Sequence, residues 1–271
     1  MADTHHSGCP RARGGSRPAV VVTDLDYTLL RSDGTVSERA VAVLREAAAD
    51  GARIVFATAR PAWSARTLLS AASGMNAALV SSNGAVVSEL DSGRVLRTRA
   101  MAPSTARAAI ARLGWDTWAA DRENDRLLGP GWPDVLASGA ATAERVATLP
   151  DGAAILCVMV HGGPDVPPEA LGRRGDVVWT SSSPGLLEIS APEADKVCAV
   201  QWILDDAGIG WGEVVAFGDA PNDAGLLAAA GLGVAVANAC PQILALADAV
   251  TRHHDDEGVA KWLEGECLCP A

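Results

Sequence analysis

Three things are scarce in this chain of 271 residues: long apolar runs, clustered cysteines and positive charge. No apolar stretch approaches the roughly 18 to 20 residues that a membrane-spanning helix needs. The first 18 residues are small, polar and basic, without the apolar block of a secretion signal, and read as a disordered arm. The six cysteines (Cys9, Cys157, Cys198, Cys240, Cys267 and Cys269) are too scattered for a disulfide framework. Cys157 and Cys198 lie in apolar runs and read as reduced core residues. Cys267 and Cys269 lie in a tail, 265–271, without the second ligand pair of a zinc site. Lys and Arg number 22 against 33 Asp and Glu, for a net charge of -11 and a pI near 4.8. That balance argues against nucleic acid and anionic membrane surfaces as partners. It leaves room for a small anionic substrate, because a bound metal and a few local cations set the field inside a site. The expectation is a soluble cytoplasmic protein. Internal repeats are absent.

What is present is a large apolar fraction, 49%, enough for one large domain or two modest ones. Val20 to Leu30 begins as a short buried strand and runs into Asp24, Asp26 and Thr28. Strand alternation would place Asp24 and Asp26 on one face. Two carboxylates so close repel unless a cation sits between them or the pair handles protons. The stretch is therefore either an ordinary turn or a hard-metal site suited to Mg²⁺.

Helical and strand periods then alternate. A helix capped by Ser37 runs to about Asp50, and Arg53 to Thr58 is a second buried strand. Pro61 opens a helix to about Ser73. Ala78 to Ser81 is a third strand, ending in Ser82-Asn83-Gly84. This is the pattern of a doubly wound, Rossmann-like parallel α/β sheet, whose chemistry lies beyond the carboxyl ends of its strands. Asp24, Thr58 and Asn83 all fall there.

From 86 to 190 the pattern changes. A hairpin over Val86 to Leu96, a helix near Ser104 to Leu113, a helix from Pro133 to about Thr148 and strands at Ile155–Val160, Val177–Thr180 and Leu186–Ser190 suggest an inserted α+β domain. Alternation resumes with a helix from Asp195 to Ala207 and a strand over Glu213 to Phe217. Gly218-Asp219-Ala220-Pro221-Asn222-Asp223 follows, then a helix to Ala230. Taken singly, Asp219 and Asp223 fit a loop and helix cap as well as an acidic cluster. Lys196 and Thr58 likewise have ordinary structural explanations. Arg60 suits either a substrate contact or a surface ion pair.

Taken in order, four motifs resemble the haloacid dehalogenase superfamily of phosphohydrolases, specifically its Cof-like subfamily IIB with a type C2B cap. They are Asp24-Leu25-Asp26-Tyr27-Thr28, Thr58 in Ala57-Thr58-Ala59-Arg60, Lys196, and Gly218 to Asp223. Ser82-Asn83-Gly84, Val234 to Ala239 and Asp256 to Val259 look similar to that subfamily as well. The resemblance covers Ala19 to Glu264 and implies a core of 19–85 plus 191–264, with the cap at 86–190. It implies a phosphatase of a small phosphorylated metabolite, a sugar phosphate by preference. Asp24 would be the nucleophile and Asp26 the acid and base. Mg²⁺ would be held by the Asp24 carboxylate, the Asp26 carbonyl, Asp219 and Asp223. Thr58, Lys196 and backbone N–H groups near Leu25 would hold the phosphoryl oxygens, while Asn83, Asn222 and Arg60 would bind or orient substrate. A phosphomutase of the phosphomannomutase type shares these motifs, and a non-catalytic regulatory protein would have lost one of them. Tyr27 stands where many relatives have Gly, and Ala59 replaces another Gly. Trp115, Trp118 and Trp132 are candidates for the pocket wall.

Overall fold

Val20–Thr23 (β1) has no exposed face. Val21 packs among residues on one side of a sheet while Val20 and Val22 pack on the other. Such a strand must lie between two helical layers, and the computed structural model, which describes residues 18–134, 143–162 and 171–265, places it there. In chain order the elements are β1, α1 (Glu38–Ala49), β2 (Arg53–Ala57), α2 (Ala62–Leu68), β3 (Ala78–Ser81), β4 (Val86–Glu89) and β5 (Val95–Thr98). Next come α3 (Pro103–Leu113), β6 (Trp118–Asp121), β7 (Arg126–Leu128), β8 (Ala143–Arg145), β9 (Cys157–His161), β10 (Gly172–Arg174), β11 (Val177–Ser183) and β12 (Leu186–Ser190). The chain ends with α4 (Lys196–Ala207), β13 (Val214–Gly218), α5 (Ala224–Ala229), β14 (Leu232–Ala235), α6 (Pro241–Leu246), β15 (Ala249–Val250) and α7 (Gly258–Leu263).

The first sheet has the order β15-β14-β13-β1-β2-β3-β4-β5 and is parallel from β15 through β3. Helices α1, α6 and α7 cover the face that holds Val21, Ile54 and Phe56. Helices α4 and α5 cover the face that holds Val20, Val22, Val55 and Ala57. This is the expected doubly wound α/β core. Local chemistry sets its ends. Ser37 Oγ accepts from Ala40 N at 3.0 Å to start α1, and Asp195 Oδ1 accepts from Cys198 N at 2.8 Å to start α4. Gly208, left-handed at φ 67°, stops α4.

The second sheet, β10-β11-β12-β9-β6-β7-β8, is antiparallel except for its β7–β8 pair. One face packs against α3 through Trp118, Val158, Val160 and Ile189. The other face carries Asp121, Cys157, Met159, Glu188 and Ser190 at alternating, paired positions. The inserted α+β cap therefore exists, but two expectations need correction. The 86–98 hairpin does not belong to the cap sheet: β4 and β5 extend the core sheet antiparallel from β3, Val87 lies in the core cluster, and the edge of β3 is thereby covered. Half of the helix expected over 133–148, residues 135–142, falls outside the described residues, and Ala143–Arg145 in the remainder is a strand parallel to β7. The N-terminal arm, apart from Pro18, lies outside the described residues, as do Cys9, Cys267 and Cys269. Cys157, Cys198 and Cys240 are free thiols. Among the described residues no helix is long and apolar enough to cross a membrane.

Candidate active site

The carboxyl end of the parallel sheet collects the motif residues. Strand β1 stops at Thr23, one residue before the first carboxylate, so strand alternation is not what pairs Asp24 with Asp26. A tight turn does this: the Leu25 carbonyl accepts N–H groups from Thr28, Leu29 and Leu30 at 3.3, 3.0 and 2.8 Å. Leu25 is fully buried and anchors that turn. Tyr27 takes a left-handed conformation at φ 55°. The turn is braced from the far end of the chain. Asn238 Nδ2 donates to the Tyr27 carbonyl at 2.7 Å, and the buried His254 ring bonds the Leu30 carbonyl at 2.8 Å.

Lys196 lies at the first position of α4, and its Nζ donates to Asp24 Oδ1 at 2.6 Å and to Asp223 Oδ1 at 2.7 Å. All three side chains are buried. The other Asp223 oxygen accepts the N–H groups of Asp219 and Ala220 at 3.1 and 3.2 Å, which folds the 218–223 loop back toward β1. Thr28 Oγ1 donates to Asp219 Oδ1 at 2.9 Å, a tie between the first and fourth motifs. A Cβ on Gly218 would sit 2.5 Å from the Asp223 Cβ, so this loop requires glycine there.

The charges explain what the cluster lacks. Burial raises the Asp24 carboxyl well above its ordinary range; Lys196 opposes this, while Asp223, Asp219 and Asp26 add to it. Burial pushes Asp219 up to about 7, with Asp223 adding to the rise and the Thr28 hydroxyl opposing it. Burial also works against the Lys196 charge, but Asp223 and Asp24 outweigh it and hold the ammonium protonated. One buried ammonium thus faces several carboxylates. Asp24, Asp219 and Asp223 each offer an oxygen, all within 4.8 Å of one another, and hard oxygen ligands at that spacing suit a small divalent cation. The donor set fits Mg²⁺.

The remaining sequence-predicted residues form the rim. Asn222 Nδ2 donates to Asn83 Oδ1 at 2.9 Å, and Asn83 N donates to the Thr58 carbonyl at 3.0 Å. Ser82 and Asn83 are both left-handed, at φ 48° and 55°, a strained pair of non-glycine residues beside the reactive cluster. Thr58 Oγ1 accepts from Arg60 N at 3.1 Å. Arg60 forks onto Asp26, with Nε to Oδ2 at 2.8 Å and Nη2 to Oδ1 at 2.7 Å. Of the two roles open to Arg60, the ion pair is the one seen.

Two connected recesses open between cap and core. The smaller, about 190 Å³, is lined by Asp24, Asp26, Asp219 and Asn222 from the core and by Ser182 and Ser183 from β11. The larger, about 420 Å³, shares Tyr27, Ser182, Ser183 and Asp219 and extends to Trp115. Trp115 lines the cleft, whereas Trp118 and Trp132 are buried within the cap. Sequence reasoning gave no role to Thr28, Ser182 or Glu188. Glu188 is buried, and burial pushes its carboxyl up to about 7 against the opposing effects of Ser182, Asn83 and Lys196. Only the cap's position over the core places it there, so no local signal marked it.

The sequence pattern of the haloacid dehalogenase-like hydrolases matches residues 21–114 and 169–263. Among curated proteins, a phosphoglycolate phosphatase of Methanopyrus kandleri is 30% identical over 254 residues, covering 90% of this chain and 95% of that protein. An HMP-PP phosphatase of Cronobacter sakazakii is 27% identical over 241 residues, covering 82% of this chain and 85% of that one. A haloacid dehalogenase-like hydrolase from B. subtilis superposes with a TM-score of 0.80 at 24% identity, covering 91% of this chain and 99% of that one. A subclass IIB sugar phosphatase superposes at 0.75 with 20% identity, covering 90% and 97%. The matched pattern spans both halves of the core, and the superposition extends over the inserted sheet as a shared fold. The chain therefore belongs to the haloacid dehalogenase-like hydrolase family, as a phosphatase-type enzyme with an inserted cap.

Proposed function

We propose that this enzyme is a Mg²⁺-dependent phosphatase that hydrolyses a small phosphorylated metabolite, a sugar or polyol phosphate, through an aspartyl-phosphate on Asp24. The observation that carries this reading is the junction at Lys196 Nζ, which joins the Asp24 and Asp223 carboxylates from opposite ends of the chain. Asp24, Asp219 and Asp223, with the Asp26 carbonyl, would hold Mg²⁺, which when bound offsets the repulsion between a carboxylate and a phosphate.

The chain's own groups supply the rest. An Asp24 oxygen forms a bond to phosphorus as the bond from phosphorus to the leaving alkoxide breaks. Asp26 gives that alkoxide its proton, then takes a proton from the water that displaces Asp24 and releases inorganic phosphate. Both Asp26 oxygens are occupied by the Arg60 guanidinium, so the pair must open for Asp26 to reach the leaving oxygen. Arg60 is then free to reach substrate, which reconciles its ion pair with the role the motif resemblance implies. Lys196, Thr58 and backbone N–H groups around Leu25 steady the phosphoryl oxygens, and Asn83 and Asn222 position their neighbours.

The test is phosphate release from a panel of sugar phosphates, polyol phosphates and nucleotides. Release is expected with Mg²⁺ and not with chelator, and it should fall by roughly 10⁴-fold or more in Asp24→Asn. Failure to release phosphate from any member in Mg²⁺ overturns the proposal. Isomeric sugar phosphate appearing in place of free phosphate identifies a phosphomutase.

A further inference from the structure

The cleft's charges and rings restrict the leaving group. Around the reactive end the side chains are four carboxylates, those of Asp24, Asp26, Asp219 and Asp223, and two cationic groups, Lys196 and Arg60. Both cations are already in ion pairs, Lys196 with Asp24 and Asp223 and Arg60 with Asp26. The larger recess, about 420 Å³, where an alcohol would extend away from the phosphorus, is lined by no Lys, Arg or His among the described residues. A second anionic group there would therefore meet the Asp219 carboxylate and no cationic side chain, because the divalent ion of the phosphatase reading would be taken up by the carboxylates and the phosphoryl oxygens, and a charge left without a partner is costly.

What the recess offers instead is flat apolar surface and hydroxyls. The Tyr27 ring is 56% exposed and held edge-on to His254, with centroids 5.7 Å apart. Its backbone carbonyl accepts the Asn238 bond, and the ring lines the recess. Trp115 lines the same recess. Ser181, Ser182 and Ser183 line its cap side. Small-molecule pockets of this size usually combine apolar walls with a few fixed polar groups, and this one has that composition.

We infer that the substrate is a monophosphate ester whose leaving alcohol is uncharged and cyclic, its ring seated against Tyr27 and Trp115 and its hydroxyls facing the serines of β11. Bisphosphates, diphosphates and phosphorylated acids are poor substrates. This rests on the phosphatase reading and adds the chemistry of the leaving group. Two matched pairs separate the two claims: α-glucosyl phosphate against α-glucuronosyl phosphate, and phenyl phosphate against para-carboxyphenyl phosphate. In each pair kcat/KM is expected to be about tenfold or more higher for the neutral member. Equal or inverted values, with phosphate still released, overturn the inference and leave the phosphatase reading standing. No phosphate release from any of the four, nor from the wider panel, removes the phosphatase reading itself.

Two variants probe the walls. Ser183→Arg adds a cation and is expected to raise the acidic member relative to its neutral partner by about tenfold. An unchanged ratio counts against the charge argument. Tyr27→Gly suits a left-handed backbone and is expected to lower kcat/KM for phenyl phosphate more than for the acyclic ethyl phosphate. Equal losses on the two esters overturn the ring contact.

Discussion

Lys196 is one of only two lysines in the sequence, and it is buried between two carboxylates. Removing one partner of a buried ionic set leaves the others uncompensated, at a cost of about 3 kcal/mol or more. Lys196→Met is therefore expected to lower the unfolding temperature in chelator, more at pH 8 than at pH 5, where the crowded carboxyls take up protons. Equal unfolding temperatures for the variant and the parent at pH 8 would contradict this. Glu188 gives a second prediction. Its carboxyl rises from 4.5 to about 7 in the fold, so the folded protein binds that proton more tightly than the unfolded chain. Its contribution favours folding below pH 4.5 and is lost as pH climbs through 7, on the order of 3 kcal/mol in all. Glu188→Gln should therefore lose less stability than the parent between pH 5 and pH 8 in denaturant titrations. Parallel losses in the two proteins would refute the assignment.

At the scale of elements, the site depends on how closely the end of β3 approaches the start of α4. Gly84 is left-handed at φ 103°, and a Cβ there would lie 2.2 Å from the Asp195 carbonyl oxygen. Asp195 caps the helix whose first residue is Lys196. Gly84→Ala must therefore push Asn83 and Lys196 apart. The expected result is a loss of about 2 kcal/mol or more in denaturant titration together with a sharp fall in turnover. Unchanged turnover would show that this contact does not set the geometry of the site. Elements also show what pattern reading can and cannot find. Strands β1, β2, β3 and β13 were legible because strands buried on both faces are continuous apolar runs with polar residues at their ends. The 86–98 hairpin was legible as a hairpin, but alternation along a strand says nothing about which neighbour it pairs with. Its Val87 faces the core cluster, so it joined the first sheet. Ala143–Arg145, within the stretch expected to be helical to about Thr148, is a strand because it pairs with β7.

For the whole molecule, the cation site couples folding to ligand. Its carboxylates come from positions 24, 219 and 223 and meet only in the folded chain. An ion that binds only the folded state stabilises it by about 2.7 kcal/mol at a hundred times its dissociation constant. Adding Mg²⁺ is expected to raise the unfolding temperature of the parent protein and to do so much less in Asp219→Ala. An equal rise in both would place the ion elsewhere. Cap and core also touch through Arg126 on β7, whose guanidinium lies 5.7 Å from the centroid of the Trp63 ring on α2. The cleft is thus a product of two sheets in contact, with the polar face of one turned toward the reactive end of the other.

By itself the order of residues determined the alternating core, the four motif ends and the acidic character of the site. These are short-range properties: a buried strand must be apolar, a tight loop must carry glycine, and a cation site must carry carboxylates. Which partners those groups met was decided only in three dimensions. Packing turned Arg60 onto Asp26, brought Thr28 to Asp219, buried Glu188 beside Asn83, and kept Trp118 and Trp132 in the interior while Trp115 reached the cleft. Side chains that share the cation site lie up to 199 positions apart, as Asp24 and Asp223 do, and no local pattern fixes the direction in which each one points.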